Sequence, residues 1–228
     1  MTRGDVVVIV MTDGRLDCLR ESLPSLQDRL HGPVSQWLVH DDTGDPEHHQ
    51  RLRDELPPTW QLVTTAQRSG FGGAYRHAYD WILAHTHQPF VFSTEDDFVL
   101  TRDLNLTEMA FVLSHRAGLA QLALRRQPWN DTERAAGGIV ECHPGKYGDY
   151  DDHHGNQWLE HRLFYTTNPS LIPRSVLAAH RWPTVPGSEG VFSAGLFADP
   201  TARSGYWGSR ASGEWCQHIG YERRGRGY

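Results

Sequence analysis

The sequence predicts an α/β fold with a mainly parallel central sheet, and three observations support this prediction. Strand-like apolar runs alternate with helical patterns over the first hundred residues, as in right-handed βαβ units. The first run, VVVIV at residues 6–10, is β-branched and continuous, which is typical of a strand buried on both faces. Acidic residues follow several of these runs, at the carboxyl ends of the predicted strands, and parallel sheets bind ligands at these ends. A length of 228 residues predicts one domain over 1–228.

The first half of the chain contains four predicted strands separated by three predicted helices. The strands are expected near residues 5–12, 36–42, 60–65 and 89–97. Leucines at alternating spacings of three and four from Leu16 to Leu30 predict a helix that is bent or interrupted at Pro24. Asp45, as an N-cap before a proline, predicts a second helix, and residues 74–85 predict a third after a glycine-rich break.

The second half has a less regular pattern. Helices are expected at residues 106–115 and 173–182, and strands at residues 119–125, 137–143 and 158–167. The segment between the last two strands, residues 143–157, is rich in Gly, Asp, His and Tyr and predicts a long mobile loop.

Composition excludes some classes of function. The formal net charge of −6 disfavours binding of polyanions by the whole surface, although the C-terminal segment is locally basic. The three cysteines lie far apart and form neither a zinc pattern nor an even disulfide set. No apolar run approaches the 18 residues of a membrane span, and no signal peptide is evident, so we expect a cytoplasmic protein without a membrane partner. The sequence does not indicate an oligomeric state.

The acidic triplet Glu95, Asp96 and Asp97 directly follows an apolar run. Neighbouring carboxylates repel one another, and their desolvation opposes folding unless a cation, hydrogen-bond donors or water compensates it. Two explanations fit the pattern. The acids end a strand in solvent, or they form a site for a hard cation at the carboxyl end of a strand.

Five segments together resemble a known family. The segments VVVIVMTDGR, WLVHDD, GFGGAYRHAYDW, FVFSTEDDFVL and HIGYERRGRGY occur in this order along the chain. They resemble the signatures of GT-A-fold glycosyltransferases similar to family two, which move a sugar from a nucleotide diphosphate donor. The resemblance covers about the first 115 residues and the C-terminal motif. It implies a nucleotide-binding half at 1–100 and an acceptor half at 101–228 that ends in a metal-site tail.

The resemblance also implies a metal site. Asp97 falls at the position that coordinates Mn²⁺ or Mg²⁺ in this family, and oxygen ligands suit such hard cations. His218 matches the late histidine that completes the site in many members. The motif here is E-D-D, so Glu95 departs from the usual aspartate and is expected to act on the metal through water, or on the ribose. Asp96 is expected among the donor contacts.

The donor implied by the resemblance is a UDP-sugar. Asp13 and Asp42 match positions that hold uracil and ribose, with Thr12 and Arg15 beside them. Both aspartates also lie in turn sequences, which leaves a local structural role open for each, as for Asp41.

The glycines that follow the third predicted strand do not have the G-x-G-x-x-G spacing of dinucleotide sites. Gly70 and Gly72 are instead expected to allow close approach of the backbone to the donor. Arg76 matches a residue that pairs with a phosphate in the family, or it is a solvated charge on a helix. Arg224 in the C-terminal segment is expected to assist Arg76 in binding the diphosphate.

An inverting transfer requires a general base, because an acceptor hydroxyl is a poor nucleophile at neutral pH. The family places an acid at the start of a helix, and Glu189 is the best match. Ser188 precedes it, so the usual acidic doublet is absent. A first-turn acid favoured by the helix dipole is the alternative for Glu189.

Two other functions are compatible with parts of the sequence. His40, Asp42 and His218 imitate the two-histidine, one-carboxylate triad of Fe(II) and 2-oxoglutarate oxygenases. A non-catalytic nucleotide-sugar-binding module is the other alternative. The acceptor is open: a glycan, a protein or a hydroxymethylated DNA base is compatible with the sequence. Arginines suit nucleic acid, whereas the net acidity opposes it; these arginines are Arg125, Arg126, Arg223, Arg224 and Arg226.

Overall fold

The computed structural model describes residues 5–220, which form a nine-stranded sheet with helices on both faces. The strands are β1 Val6–Thr12, β2 Leu30–His31, β3 Val34–Asp41, β4 Trp60–Thr64, β5 Phe90–Glu95, β6 Phe98–Leu100, β7 Leu104–Asn105, β8 Leu119–Ala123, β9 Gly148–Asp151, β10 Gln157–His161, β11 Ser170–Pro173, β12 Arg203–Trp207 and β13 Cys216–His218. The helices are α1 Leu16–Arg29, α2 Pro46–Glu55, α3 Gly70–His85, α4 Leu106–His115, α5 Asp131–Ala136, α6 Ile139–Cys142, α7 Arg174–Ala179 and α8 Ser188–Leu196.

The large sheet has the strand order β4-β3-β1-β5-β11-β8-β12-β10-β9. The first four strands are parallel to one another, and only β11 and β10 run against the direction of the other seven. This arrangement confirms the predicted α/β class with a mainly parallel sheet. Two small sheets, β6 with β13 and β2 with β7, lie beside it.

Strand β1 is at the centre of a three-layer core. All seven of its residues are buried, and successive side chains point to opposite faces. Val8 belongs to one apolar cluster with leucines of α1 and α4, whereas Ile9 belongs to a second with the buried face of α3. Helices on both faces explain why this strand is continuously apolar rather than alternating.

The helices of the first half agree with their sequence signals. Asp45 accepts a hydrogen bond from the Glu47 amide at 2.9 Å, which confirms the predicted N-cap of α2. Helix α1 continues through Pro24, so of the two predicted alternatives the interruption is wrong and the bend stays a prediction. Helix α3 starts at Gly70, four residues before its predicted start.

The second half differs more from expectation. The predicted strand at 137–143 is wrong, because residues 139–142 form a short helix. The predicted strand at 158–167 ends at His161, and the predicted loop at 143–157 contains the exposed edge strand β9. Strands β11 and β12 were missed. Among the described residues, no helix combines the length and the apolar character needed to cross a bilayer.

Candidate active site

The acidic residues that follow β1, β3 and β5 meet at one edge of the sheet. In the parallel register Thr12 lies opposite Asp41, and Met11 lies opposite Glu95. The chain turns after Glu95 and returns as β6, which pairs with β13 and brings His218 opposite Phe98. Residues from both ends of the sequence therefore lie together beside the acidic triplet.

Asp97 and His218 are in direct contact. The His218 Nε2 atom lies 3.2 Å from Asp97 Oδ2. The imidazole is held between the rings of Phe98 and Trp129, with centroid distances of 4.6 and 4.3 Å. The amide of Ile219 donates to the Asp97 carbonyl at 2.7 Å, so backbone pairing also fixes this contact.

Gln127 holds the backbone of His218 from the other side. Its side-chain oxygen accepts from the His218 amide at 2.8 Å, and its side-chain nitrogen donates to the His218 carbonyl at 3.0 Å. One side chain thus supplies the pair of hydrogen bonds that a neighbouring strand would supply.

Arg15 neutralises the acids that follow β5. Its guanidinium contacts the carboxylates of Asp96 and Asp97, and Nε lies 3.4 Å from Asp13. Burial would raise the pKa of Asp97, but the hydrogen bond from His218 and the Arg15 charge outweigh it and hold that pKa below its usual value. Asp97 is therefore kept ionised although its side chain is only 4% exposed.

Asp96 lies inside the protein rather than at the ligand-facing surface. It has no exposed area, and Thr12 Oγ1 donates to it at 2.5 Å. Burial raises the pKa of Asp96 well above its usual value, although Arg15 opposes this effect. In this structure the Asp96 carboxyl, with Thr12, anchors Arg15, and the expected donor contact by Asp96 stays a prediction.

Glu95 ends β5 and faces a different partner. Tyr75 Oη donates to its carboxyl at 3.1 Å. Burial, reinforced by the nearby charge of Asp97, raises the pKa of Glu95 to about 8. Within residues 5–220, no three His, Cys, Asp or Glu side chains are grouped as a cation site, so the expected ligand set of Asp97, His218 and Glu95 does not assemble.

The Asp97–His218 pair nevertheless fits a hard cation. Adjacent ligands of an octahedral cation with bonds of about 2.1 Å lie about 3 Å apart, close to the 3.2 Å separation found here. The Asp97 Oδ1 atom is buried and has no hydrogen-bond partner among the described residues. A Cβ on Gly220 would lie 2.2 Å from Asp97 Oδ2, so a residue without a side chain is required beside the carboxylate.

Asp13 lies at the exposed rim of the site. Arg68 Nη2 donates to its carboxylate at 2.7 Å, opposite the contact from Arg15. Asp13 and Asp42 border a cleft between β1, β5 and α3 whose volume is about 10 Å³. Such a volume holds at most one water, so a nucleotide base could enter only if the walls moved.

Asp42 caps helix α3 from a neighbouring strand end. It accepts from the amides of Ser69 and Gly70 at 2.9 and 2.7 Å, and from the hydroxyls of Ser69 and Thr65 at 2.5 and 3.2 Å. The carboxylate is 2% exposed. These protein donors fill the acceptor capacity that a ribose contact would need.

Asp41 is likewise held within the protein. The Nε2 atoms of His48 and His49 lie 3.4 and 2.9 Å from its carboxylate, and the Thr43 amide donates to it at 3.1 Å. It is wholly buried, which favours the local structural role over ligand contact.

Gly72 packs against protein, whereas a Cβ on Gly70 would meet no atom of the described residues within 4 Å. Gly70 has φ of +70°, which favours glycine at the start of α3. A Cβ on Gly72 would lie 2.8 Å from the Pro183 carbonyl and 3.2 Å from the Ser188 side chain. Arg76 also faces this segment, since its Nε donates to the Trp182 carbonyl. In this structure the guanidinium beside the acidic triplet belongs to Arg15, not to Arg76.

Glu189 lies in the first turn of α8 and lines a polar cavity of about 330 Å³. We call this the Glu189 cavity; its other walls include Glu95, Phe98, Arg126, Trp129 and His218. The Thr167 amide donates to Glu189 Oε1 at 2.9 Å and orients the carboxylate. Burial raises the pKa of Glu189 above its usual value, and the Thr167 hydrogen bonds partly offset it.

Sequence reasoning missed several residues of this site. Arg68 and Gln127 were not expected to contribute, and neither was the segment 166–168, which lines the Glu189 cavity. Gln127 and residues 166–168 lie next to β8, β11 and the returning β13, which connect distant parts of the chain, whereas Arg68 precedes α3 and contacts Asp13. The expected contact by Arg224 lies outside the described residues.

The oxygenase alternative is wrong. Those enzymes use a double-stranded β-helix of antiparallel strands, whereas this sheet is mainly parallel with helices on both faces. His40 Nε2 lies 2.8 Å from His77 Nδ1, and burial lowers the pKa of His40 to about 3. Asp42 caps α3, so the three residues do not form a shared iron site.

Comparison with known proteins identifies the fold. No protein-family model and no curated protein sequence matches the chain. Solved structures do match: the mannosyltransferase PcManGT from Pyrobaculum calidifontis, in complex with GDP-Man and Mn²⁺, has 17% identity and a TM-score of 0.63 over 98% of this chain and 59% of that one. TarS from S. aureus in complex with UDP has 15% identity and a TM-score of 0.57, over 93% of this chain and 60% of that one.

The chain therefore spans less than two thirds of the length of these structures. The match nevertheless extends over nearly all of the chain, through both the parallel half and the strands that follow it. The chain has the GT-A fold of these glycosyltransferases.

Proposed function

We propose that this protein is a glycosyltransferase that moves a sugar from a nucleoside diphosphate donor to an acceptor hydroxyl, with inversion and with help from Mn²⁺ or Mg²⁺. The observation that carries the proposal is that Glu189 and His218, the latter in contact with Asp97, line one cavity at the carboxyl edge of the sheet. Ligands bind at this edge in α/β sheets. The structural neighbours with bound GDP-Man or UDP support the class of donor.

The position of each residue indicates its role in the proposed reaction. Asp97 and His218 would hold the cation, which supplies positive charge against the leaving diphosphate. Arg15 and Arg68 lie next to Asp97 and Asp13, where they can bind diphosphate oxygens. The donor would therefore lie over residues 1–100, and the acceptor would enter from the half formed by residues 101–228.

Glu189 is the proposed general base. Its carboxylate takes the proton from the acceptor hydroxyl while the oxygen forms a bond to the anomeric carbon of the sugar. The bond between that carbon and the diphosphate oxygen breaks, and the nucleoside diphosphate leaves with the electron pair. The raised pKa of Glu189 favours this role, because a stronger base accepts the proton more readily.

We propose uridine as the base of the donor, on the resemblance of the segments around Asp13 and Asp42 to those that hold uracil and ribose. The role of Asp42 as a helix cap argues for an indirect contribution, in which it fixes the start of α3 beside the nucleotide. The rim residue Asp13 is the one available for direct contact, since 17% of its side chain is exposed.

A thermal-shift panel of UDP, GDP, UDP-sugars and GDP-mannose, with and without Mn²⁺, tests the proposal. A uridine nucleotide at a hundred times its dissociation constant should stabilise the protein by about 2.7 kcal/mol, and only with the metal present. Asp97→Asn should abolish this shift, whereas Asp103→Asn, at an exposed acid, should retain it.

Each other outcome has a defined meaning. A shift by GDP alone would correct the base but keep the reaction class. A shift by 2-oxoglutarate or NAD without one by UDP would contradict the proposal. Binding without donor hydrolysis or transfer would favour the non-catalytic nucleotide-sugar-binding module.

A further inference from the structure

Thr167 contacts both carboxyl groups that line the Glu189 cavity. Its amide donates to Glu189 Oε1 at 2.9 Å, and its hydroxyl lies 3.4 Å from the same oxygen. The hydroxyl also forms a hydrogen bond with Glu95, at the end of β5. Because a hydroxyl has one proton, which is shared here between two acids, the amide is the main donor to Glu189.

Only one oxygen of the Glu189 carboxylate is engaged in this way. No hydrogen bond from the described residues reaches Oε2. Since Glu189 lines the cavity, Oε2 is the oxygen that a ligand can contact. Burial raises the pKa of Glu189, and the hydrogen bonds from Thr167 oppose this effect because they favour the ionised form. The carboxylate is thus held at one oxygen and open at the other.

Ser193 fixes the backbone that carries the Thr167 amide. Its hydroxyl accepts from the Tyr165 amide at 2.7 Å and donates to the Glu189 carbonyl at 2.9 Å. Ser193 lies one turn after Glu189 in α8 and is 7% exposed. From this part of the chain the cavity is lined by residues 166–168 and by Glu189. Ser193 therefore acts on the Glu189 carboxylate through the segment that contains Tyr165 and Thr167.

The other ionisable groups near Glu189 have partners or are buried. Arg126 forms two hydrogen bonds with the Glu133 carboxylate, at 2.7 and 3.2 Å. The Tyr165 phenol is buried, and burial raises its pKa well above the usual value, so it stays protonated. The other ionisable side chains at the cavity belong to Glu95 and His218. Among the described residues, the donors to the Glu189 carboxylate are those of Thr167.

We propose that Ser193 and Thr167 are positioning residues for the general base: they hold Glu189 Oε1, which leaves Oε2 as the atom that takes the proton of the acceptor hydroxyl. This inference rests on the proposed function, which assigns the base to Glu189. The proton moves to Oε2 while the hydroxyl oxygen bonds to the anomeric carbon and the nucleoside diphosphate leaves with the electron pair. A carboxylate fixed in advance need not be oriented during the reaction.

The titration of Glu189 tests the contacts without any substrate. The NMR signal of its carboxyl carbon, identified by its loss in Glu189→Gln, reports the pKa in the whole protein. Ser193→Ala frees the segment, so the pKa of Glu189 should rise above that of the wild type. Thr167→Val loses the hydroxyl but keeps the amide and should raise the pKa less. Thr167→Ser keeps both donors and should titrate as the wild type does.

The pH profile of transfer tests the positioning role. Ser193→Ala should lower kcat by about tenfold, because the base is no longer held in place. A higher pKa of Glu189 also means that kcat/KM falls at a higher pH as the solution is acidified. Thr167→Val should change both quantities less, and Thr167→Ser should restore them. A purely structural role would lower stability without moving the pH profile.

Two results would overturn the positioning role. One is a folded Ser193→Ala variant that titrates and turns over as the wild type does; if this variant does not fold, the same result in Thr167→Val has the same meaning. The other is a Thr167→Ser variant as impaired as Thr167→Val. Absence of transfer by the wild type, with the expected order of Glu189 titrations retained, would instead contradict the proposed function.

Discussion

The side-chain amide of Gln127 forms two hydrogen bonds with the backbone of His218, at 2.8 and 3.0 Å. This contact fixes β13 to the segment that follows β8, and it thereby holds the imidazole against Asp97. Gln127 reaches the proposed cation only through His218. It is therefore a positioning residue.

We expect Gln127→Ala to weaken Mn²⁺-dependent binding of UDP by about tenfold, because β13 loses one of its attachments. The two lost hydrogen bonds should lower the free energy of unfolding by about 1–3 kcal/mol. Titration calorimetry and urea unfolding measure the two effects.

Gln127→Glu is the matched control. It keeps an oxygen for the His218 amide but no longer donates to the His218 carbonyl, so an intermediate affinity is expected. If both variants lose stability but bind UDP as the wild type does, the positioning role is wrong.

Substitution of Asp42 tests whether its carboxylate serves to cap helix α3 or to contact the ligand. Asp42→Ala leaves the amides of Ser69 and Gly70 without their acceptor, at a site that is 2% exposed. We expect the free energy of unfolding to fall by about 2–4 kcal/mol, as for a lost helix cap together with unsatisfied buried groups. Asp42→Asn keeps one acceptor oxygen and should lose less.

Urea unfolding and UDP titration of both Asp42 variants separate the two roles. If Asp42→Asn unfolds like the wild type yet binds UDP at least about tenfold more weakly, a direct ribose contact is supported instead of the helix cap.

Gly72 and Gly195 form a matched pair of glycines. A Cβ at Gly72 would lie 2.8 Å from the Pro183 carbonyl, whereas at Gly195, in α8, no atom of the described residues outside the local helix backbone would lie within 4 Å. We expect Gly72→Ala to lower the free energy of unfolding by about 1–3 kcal/mol through steric overlap. Gly195→Ala should raise it by about 0.5–1 kcal/mol, because alanine favours the helix. Thermal or urea unfolding measures both; equal stability of the two variants would contradict the steric explanation.

The elements that could be predicted from the sequence are those that a local pattern of residues defines by itself. Strand β1 is buried on both faces, so its apolar run predicts it directly, and the Asp45 cap of α2 depends on adjacent residues alone. Strand β11 consists of four residues that pair with β5 and β8, and this short segment has no distinctive pattern of its own. Ile139 and Val140 are β-branched and favour a strand, but residues 139–142 form a short helix.

The acidic triplet could be predicted as a group but not residue by residue. Asp96 is fully buried and accepts a hydrogen bond from Thr12, whereas the next residue, Asp97, contacts His218. The Arg15 contact with these acids joins positions about eighty residues apart in sequence, and no local spacing reveals it. The function of Asp42 as a cap likewise depends on how α3 packs against β3.

Glu189 should determine the acid side of the pH profile. The proposed base acts when deprotonated, so kcat/KM should fall as the pH drops through its pKa, which burial raises above 4.5. Glu189→Gln should lower kcat by about 10²- to 10⁴-fold and should remove this dependence, while UDP affinity stays unchanged. Steady-state transfer rates between pH 4.5 and 8 measure the effect. If kcat/KM of the Glu189→Gln variant falls at low pH as it does in the wild type, another group is responsible for that dependence.

The buried His161, which lies outside the candidate active site, should make the stability of the protein depend on pH. It is stacked against Tyr206 and lies beside Tyr147 and Phe164, and burial lowers its pKa from 6.5 to about 4. Between these values the unfolded chain binds a proton that the folded protein does not bind. Stability is therefore fully present above pH 6.5 and is lost as the pH falls towards 4, by about 3 kcal/mol in total.

His161→Phe removes the titrating group but keeps an aromatic ring, so its free energy of unfolding should depend less on pH between 6.5 and 4. Urea unfolding at pH 7.5, 6.0 and 4.5 measures the difference, with the value at pH 7.5 as the reference for any change in packing. His40, whose pKa burial lowers to about 3, should leave part of the slope in the variant. Parallel pH profiles for wild type and variant would show that His161 is already protonated in the folded protein, contrary to its burial among three aromatic rings.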